Sequence, residues 1–148
     1  MHLSEQDEHD IAALEDFKIH LFKPDILCKL IWSNYFQKQT TELCNRVLGT
    51  EKICGIYKIT DTITKQVYIG QSVNVAERLK QHIKCGLGID ASPTNVLYKA
   101  MQHDKVWNFT FELLEECPKE LLNEKERFWI DTYSSNIYGL NTMKGIKT

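Results

Sequence analysis

No stretch of this sequence approaches the roughly 20 consecutive apolar residues that a membrane-spanning helix needs, which excludes a helical membrane protein. The opening residues Met1-His2-Leu3-Ser4-Glu5 are acidic where a secretory signal would be basic. No signal peptide is therefore expected, and the chain reads as cytoplasmic. Cysteine occurs five times, at positions 28, 44, 54, 85 and 117, but the number is odd and no pair forms a CxxC. Reduced thiols are expected, not a disulfide framework or a zinc site. A basic excess is missing too. The 18 Lys+Arg stand against 20 Asp+Glu, a net charge of −2, which argues against a protein that coats nucleic acid through phosphate contacts. There is no internal repeat and no low-complexity segment. Nor is there a zinc motif, helix-turn-helix signature or basic tail with which to read bases.

What is present suffices for one domain, or a domain with an extension: 148 residues bury a core without disulfide staples. The charge is uneven. Residues 1–50 hold 5 Lys+Arg and 8 Asp+Glu, a balance of −3, while residues 51–148 hold 13 and 12, a balance of +1. A surface facing a polyanion, if there is one, belongs to the second part.

The patterning divides at the same place. The first ten residues are polar and read as a frayed end. Ile11, Leu14, Phe17 and Leu21 suggest a short amphipathic helix, which Lys23-Pro24-Asp25 interrupts. From Asp25 to about Leu48, Ile26, Leu27, Leu30, Ile31 and Tyr35 recur at helical spacing, and Gly49 suits the position just past a helix end. Residues 11–48 thus read as two helices. Their apolar surface, with Trp32 and Phe36, exceeds one stripe, so residues 25–48 are expected to cover the following domain or to pair with a second copy in a homodimer. Strands are expected near 53–60, 66–71 and 108–115, the first two as a hairpin closed by Asp61–Gln66. Asn74, with Glu77 three residues on, forms a capping box for a helix to about Lys84. Cys85 to Pro93 reads as a loop, followed by a short helix to about Asp104 and a helix from Pro118 to about Tyr133. The fold class is α/β, with a helical extension over 1–50, a domain over 51–142 and a tail over 143–148.

Several residues stand out against these patterns. Leu122, Trp129, Ile130 and Tyr133 form one stripe of the last helix, and Glu126 falls in its middle. An inward carboxylate is costly unless paired or bound to a metal, and Mg²⁺ takes one or two such ligands with several waters. Taken alone, Glu126 reads more simply as an edge residue reaching solvent. Arg78 and His82 lie four apart on one helical face, where an arginine fork can grip a phosphate. The plainer reading is a solvated basic helix with Lys80 and Lys84. Tyr57 and Tyr68 sit on paired strands, each near a glycine, and strand tyrosines usually pack. Gly55 and Gly70 usually mark a bulge or a close backbone approach.

Order and spacing change the weighting. Gly55-Ile56-Tyr57, ten residues, then Tyr68-Ile69-Gly70 resembles the two halves of the GIY-YIG nuclease signature. Arg78 stands eight residues after Gly70, and His82 and Glu126 follow in the order of that family's helix residues. Gly139-Leu140-Asn141 resembles its closing motif. The resemblance covers residues 52–142 and implies a small three-stranded antiparallel sheet flanked by helices. It implies hydrolysis of phosphodiester bonds in DNA, with one Mg²⁺ or Mn²⁺ per site on Glu126. Tyr57, Tyr68, Arg78, His82 and Glu126 would be catalytic, and Gly70, Gln71, Arg78 and Asn141 would meet phosphate or substrate. Tyr57 is the favoured base, with Tyr68 and His82 positioning water and phosphate, although the tyrosine roles are exchangeable. A non-catalytic binding module of the same fold, or a nuclease acting on RNA, are the alternatives. The Asp61–Gln66 turn and the Lys105–Asn108 approach lack glycines common in relatives, which is expected to alter local geometry only.

Overall fold

Three alternating segments form the strands β1 (Gly55–Asp61), β2 (Val67–Ser72) and β3 (Phe109–Glu116), all antiparallel in the order β2-β1-β3. This computed structural model describes residues 4–12, 22–32, 40–89 and 96–141. The helices among them are α1 (Glu5–Ala12), α2 (Asp25–Trp32), α3 (Thr40–Leu48), α4 (Val75–Gly86), α5 (Val96–Asp104) and α6 (Leu122–Tyr133). Alternation along the strands gives the sheet two apolar faces. Tyr57, Ile59, Phe109 and Phe111 join the larger core with residues of α2 to α5. Ile56 and Ile69 meet Leu122, Trp129 and Ile130 of α6 on the other face.

Local chemistry explains most boundaries. Asn74 accepts the Glu77 amide at the start of α4, as the capping box predicts. The reciprocal half of the box differs: the Ser72 hydroxyl accepts the Asn74 amide, and Glu77 pairs with Lys80 at 2.7 Å. In the hairpin turn Asp61 Oδ1 accepts the Ile63 amide at 2.9 Å. Where glycine is missing, lysine takes its backbone conformation, Lys65 at φ 67 and Lys105 at φ 73, ψ 134. Such backbone is costly for a residue with a Cβ. Lys105→Gly is expected to stabilise the protein by about 1 kcal/mol, raising the melting temperature by about 2–4 °C. An unchanged or lower melting temperature would show that Lys105 carries no strain.

The N-terminal segment differs from its sequence reading. Helix α1 occupies residues expected to fray. Gln6 donates to Asp10 within it, and Glu8 pairs with Arg46 of α3 at 2.7 Å. The helix expected from Asp25 to Leu48 is two helices. At 3.6 residues per turn, one straight helix would turn Leu43 about 160° away from Leu27, yet both are fully buried in the same core. As two separate helices, α2 and α3 both turn their apolar stripes inward. Leu14, Phe17, Leu21, Tyr35, Phe36, the 90–93 part of the loop and the 143–148 tail lie outside the described residues.

Of the two expected uses of residues 25–48, the structure displays covering. Leu27, Cys28, Ile31, Leu43, Cys44 and Leu48 share the core of β1 and β3. Phe22 extends that cover by exchanging two backbone hydrogen bonds with Phe111 on the outer edge of β3. An uncovered edge and apolar face invite association. A chain beginning at Thr50 is expected to aggregate, as light scattering would record. A soluble truncated chain that has lost only DNA affinity would reverse this assignment.

Candidate active site

The two strand tyrosines and one face of α4 converge on the larger side of the sheet. Tyr57, only 1% exposed, places Oη 2.8 Å from His82 Nε2, and His82 is itself 1% exposed. The Tyr68 ring lies 6.4 Å from that of Tyr57 and 5.8 Å from that of His82, centroid to centroid. Arg78, one turn before His82, is half-buried beside these rings, and its Nη1 donates to Gln81 at 2.9 Å. Both signature glycines serve this packing. A Cβ on Gly70 would overlap the phenol end of Tyr57, and one on Gly55 would overlap the Glu115 carbonyl. A bulge between Ile56 and Tyr57 accompanies that close approach.

Burial controls the protonation states. It pushes the Tyr57 hydroxyl well above its ordinary range, with Tyr68 adding to the effect and the Arg78 guanidinium opposing it by charge and hydrogen bonding. Tyr68 is raised for the same first reason, again against the pull of Arg78. His82 is pushed down from 6.5 to about 3, by burial and then by the Arg78 charge, so it is neutral at physiological pH. The sign for stability follows directly. As pH falls through 6.5 the unfolded chain takes a proton that folded His82 refuses until about 3. Stability present above pH 6.5 is then lost at about 1.4 kcal/mol per pH unit from this group, or about 2 kcal/mol by pH 5. Urea titrations at pH 7 and pH 5 should show this loss, and His82→Gln should flatten it. An equal loss in the variant would assign the acid sensitivity elsewhere.

Glu126 comes from α6, which packs on the other face of the sheet, and its link to the cluster is the effect of its charge on Tyr68. It is half-buried, as its place in the stripe predicts, and Gln71 Nε2 donates to its Oε1 at 3.0 Å. Burial raises its pKa, with the Gln71 bond working against that shift, and its charge in turn contributes to raising Tyr68. Among the described residues no three of His, Cys, Asp and Glu gather into a cation cage. A lone, oriented and partly desolvated carboxylate nevertheless suits Mg²⁺, which keeps several waters and takes its other ligands from substrate phosphates. The donor set therefore fits such an ion.

The structure gives several expected residues more specific surroundings. Gln71 binds Asn123 Oδ1 at 2.8 Å as well as Glu126, so it orients the carboxylate. Asn141 caps the outer edge of β2: its Oδ1 accepts the Ile69 amide at 2.7 Å and its Nδ2 donates to the Ile69 carbonyl at 2.9 Å. With both amide ends so engaged, what Asn141 offers is support of the strand that carries Tyr68. The preceding Leu140 amide extends this edge by donating to the Val67 carbonyl at 2.9 Å. Sequence reasoning missed Tyr98 of α5, whose Oη lies 2.8 Å from His82 Nδ1. No local spacing signals it, because only the fold carries α5 against α4.

A model of the GIY-YIG catalytic domain family matches residues 53–141. The intron-associated endonuclease 1 of Enterobacteria phage T4 is 35% identical over 89 residues, covering 59% of this chain and 36% of the phage protein. This chain thus spans little more than a third of that relative. The solved catalytic domain of the homing endonuclease I-TevI matches with a TM-score of 0.54 at 30% identity, covering 60% of this chain and 97% of that domain. A glutamate-to-alanine mutant of the same domain matches at 0.51 and 31% identity, with 65% and 99% covered. On the sheet, the paired tyrosines and the matched span together, this chain belongs to the GIY-YIG nuclease family, with residues 53–141 as its catalytic domain.

Proposed function

We propose that this protein is an endonuclease that hydrolyses phosphodiester bonds in DNA, with one divalent ion, Mg²⁺ or Mn²⁺, held by Glu126. The observation that carries this reading is the cluster of Tyr57, Tyr68, Arg78 and His82 on one face of the sheet, together with a half-buried carboxylate, Glu126, whose charge acts on Tyr68. When bound, the ion supplies Lewis acidity to the scissile phosphate and its leaving oxygen. Arg78 faces the phosphate and neutralises charge that grows on its oxygens, usually the largest single contribution to catalysis.

Tyr57 is the base better provided with a proton acceptor. A standing tyrosinate is unfavourable in so buried a position. A bound phosphate would offset the Arg78 charge that helps hold His82 neutral, and Tyr57 can then accept the proton of the attacking water while passing its own to His82 Nε2, 2.8 Å away. Tyr68, less buried and within the influence of Glu126, then positions water and phosphate.

One site cuts one strand, so a double-strand break takes two visits or two copies. The apolar residues described in α2 and α3 already cover the domain's own core, which favours the single copy; sedimentation with and without DNA separates the two. The five free cysteines support a reducing, cytoplasmic setting, and no described helix is long and apolar enough to cross a membrane. The test of function is digestion of supercoiled, linear, branched and single-stranded DNA, and of RNA, with Mg²⁺ or Mn²⁺, followed by mapping of the ends. Cleavage of DNA supports the proposal. Cleavage of RNA alone moves the substrate, and binding without cleavage reduces the domain to a binding module.

A further inference from the structure

His82 is held between two tyrosines, one on each ring nitrogen. Tyr98, 3% exposed, has its hydroxyl 2.8 Å from Nδ1, and its ring centroid lies 5.6 Å from that of His82. A neutral imidazole carries one N–H donor and one acceptor, so Tyr57 and Tyr98 cannot both donate to it. The two tautomers differ in consequence. With the proton on Nε2, the ring donates to Tyr57 and can take no proton from it. With the proton on Nδ1, the ring donates to Tyr98 and presents a bare Nε2 to the Tyr57 hydroxyl.

The surroundings favour the second arrangement. The Tyr98 hydroxyl also meets the thiol of Cys85, three residues beyond His82 on α4. A Tyr98 proton directed at Cys85 leaves the phenol oxygen to accept Nδ1–H. The other polar or charged groups facing His82 are Tyr57 and Tyr68 from the strands and Arg78 from its own helix. None of them approaches Nδ1 within hydrogen-bonding distance among the described contacts. A phenylalanine would fill the space of Tyr98 without burying a hydroxyl, so the hydroxyl is the informative part.

We propose that Tyr98 is a positioning residue of the active site: it fixes His82 in the Nδ1-protonated tautomer, so that Nε2 stands ready for the Tyr57 proton. This rests on the nuclease reading above for its consequence, but the tautomer is a property of the free protein. In the step itself, the water proton goes to Tyr57 Oη, the Tyr57 proton goes to His82 Nε2, and the hydroxide oxygen bonds to phosphorus as the P–O bond to the leaving sugar oxygen breaks, that oxygen taking a proton from solvent water.

Two measurements test it. Nitrogen-15 NMR of histidine-labelled full-length protein should show His82 as the Nδ1–H tautomer, and Tyr98→Phe should shift it towards a mixture. Single-turnover nicking of supercoiled plasmid by Tyr98→Phe should be slower by about 10–100-fold, with the plasmid KM within about twofold of wild type. On a His82→Gln background, Tyr98→Phe should cause no further loss, because Tyr98 acts through His82. An Nε2–H tautomer in the wild type overturns the inference, even if Tyr98→Phe fails to fold. So does a Tyr98→Phe rate equal to wild type, or an equal loss on both backgrounds, which marks packing alone. If the wild type cuts no substrate, the nuclease reading fails while the NMR result still decides the tautomer.

Discussion

Glu126→Ala is expected to reduce DNA cleavage by about 10³-fold or more while leaving the fold intact. Two independent features lead to this. The residue interrupts an apolar stripe of α6 in the sequence, and in the structure it is a half-buried carboxylate oriented by Gln71. Its pKa is raised by burial, so the ionised side chain carries a desolvation cost in the free protein. Removing it should therefore leave the melting temperature unchanged or raise it. A protein that fails to fold would make Glu126 a structural residue. A variant retaining more than a few per cent of the activity would mean that another group holds the metal. Gln71→Ala gives a graded version of the same test, since it removes orientation but leaves the charge.

Arg78→Lys is expected to be nearly as damaging as Arg78→Ala, each costing about 10²–10³-fold in the single-turnover rate. Lysine preserves the positive charge but not the planar fork of donors that matches phosphate oxygens. Arg78 also lies beside Tyr57 and Tyr68 and opposes the rise of both their pKa values. A compact ammonium on a flexible stem would hold neither position as well. Recovery of most of the rate in Arg78→Lys would show that charge alone suffices and would remove the geometric part of this account.

These two residues stand out in the sequence for different reasons. Glu126 is visible because a helix has a period, and a charge in the wrong phase stands out. Arg78 and His82 share a face by the same period, but that they meet two tyrosines follows only from the family signature. The hairpin, α4 and α6 were read within a few residues because each carries its own alternation, cap or proline. The N-terminal helices were not. One periodic pattern over residues 25–48 concealed two separate helices, since apolar spacing does not say whether successive stripes face one core along one axis or two. Tyr98 was invisible for a related reason: its partner lies 16 residues away on another helix. Asn141 is expected at the site from the sequence, but its binding to the Ile69 backbone, 72 residues distant, is a property of the folded sheet edge. The lysines at positive φ were foreshadowed by missing glycines, although nothing local predicted that the strained backbone would persist without them.

The most direct test of the central claim is single-turnover nicking of supercoiled plasmid by wild-type and Glu126→Ala protein, with Mg²⁺ and with excess EDTA. Nicked circles should form with wild type and Mg²⁺ only, should stop with EDTA, and should return when Mg²⁺ is restored in excess. Cutting that persists in EDTA, or an equal rate from Glu126→Ala, would contradict a metal-dependent site built on Glu126.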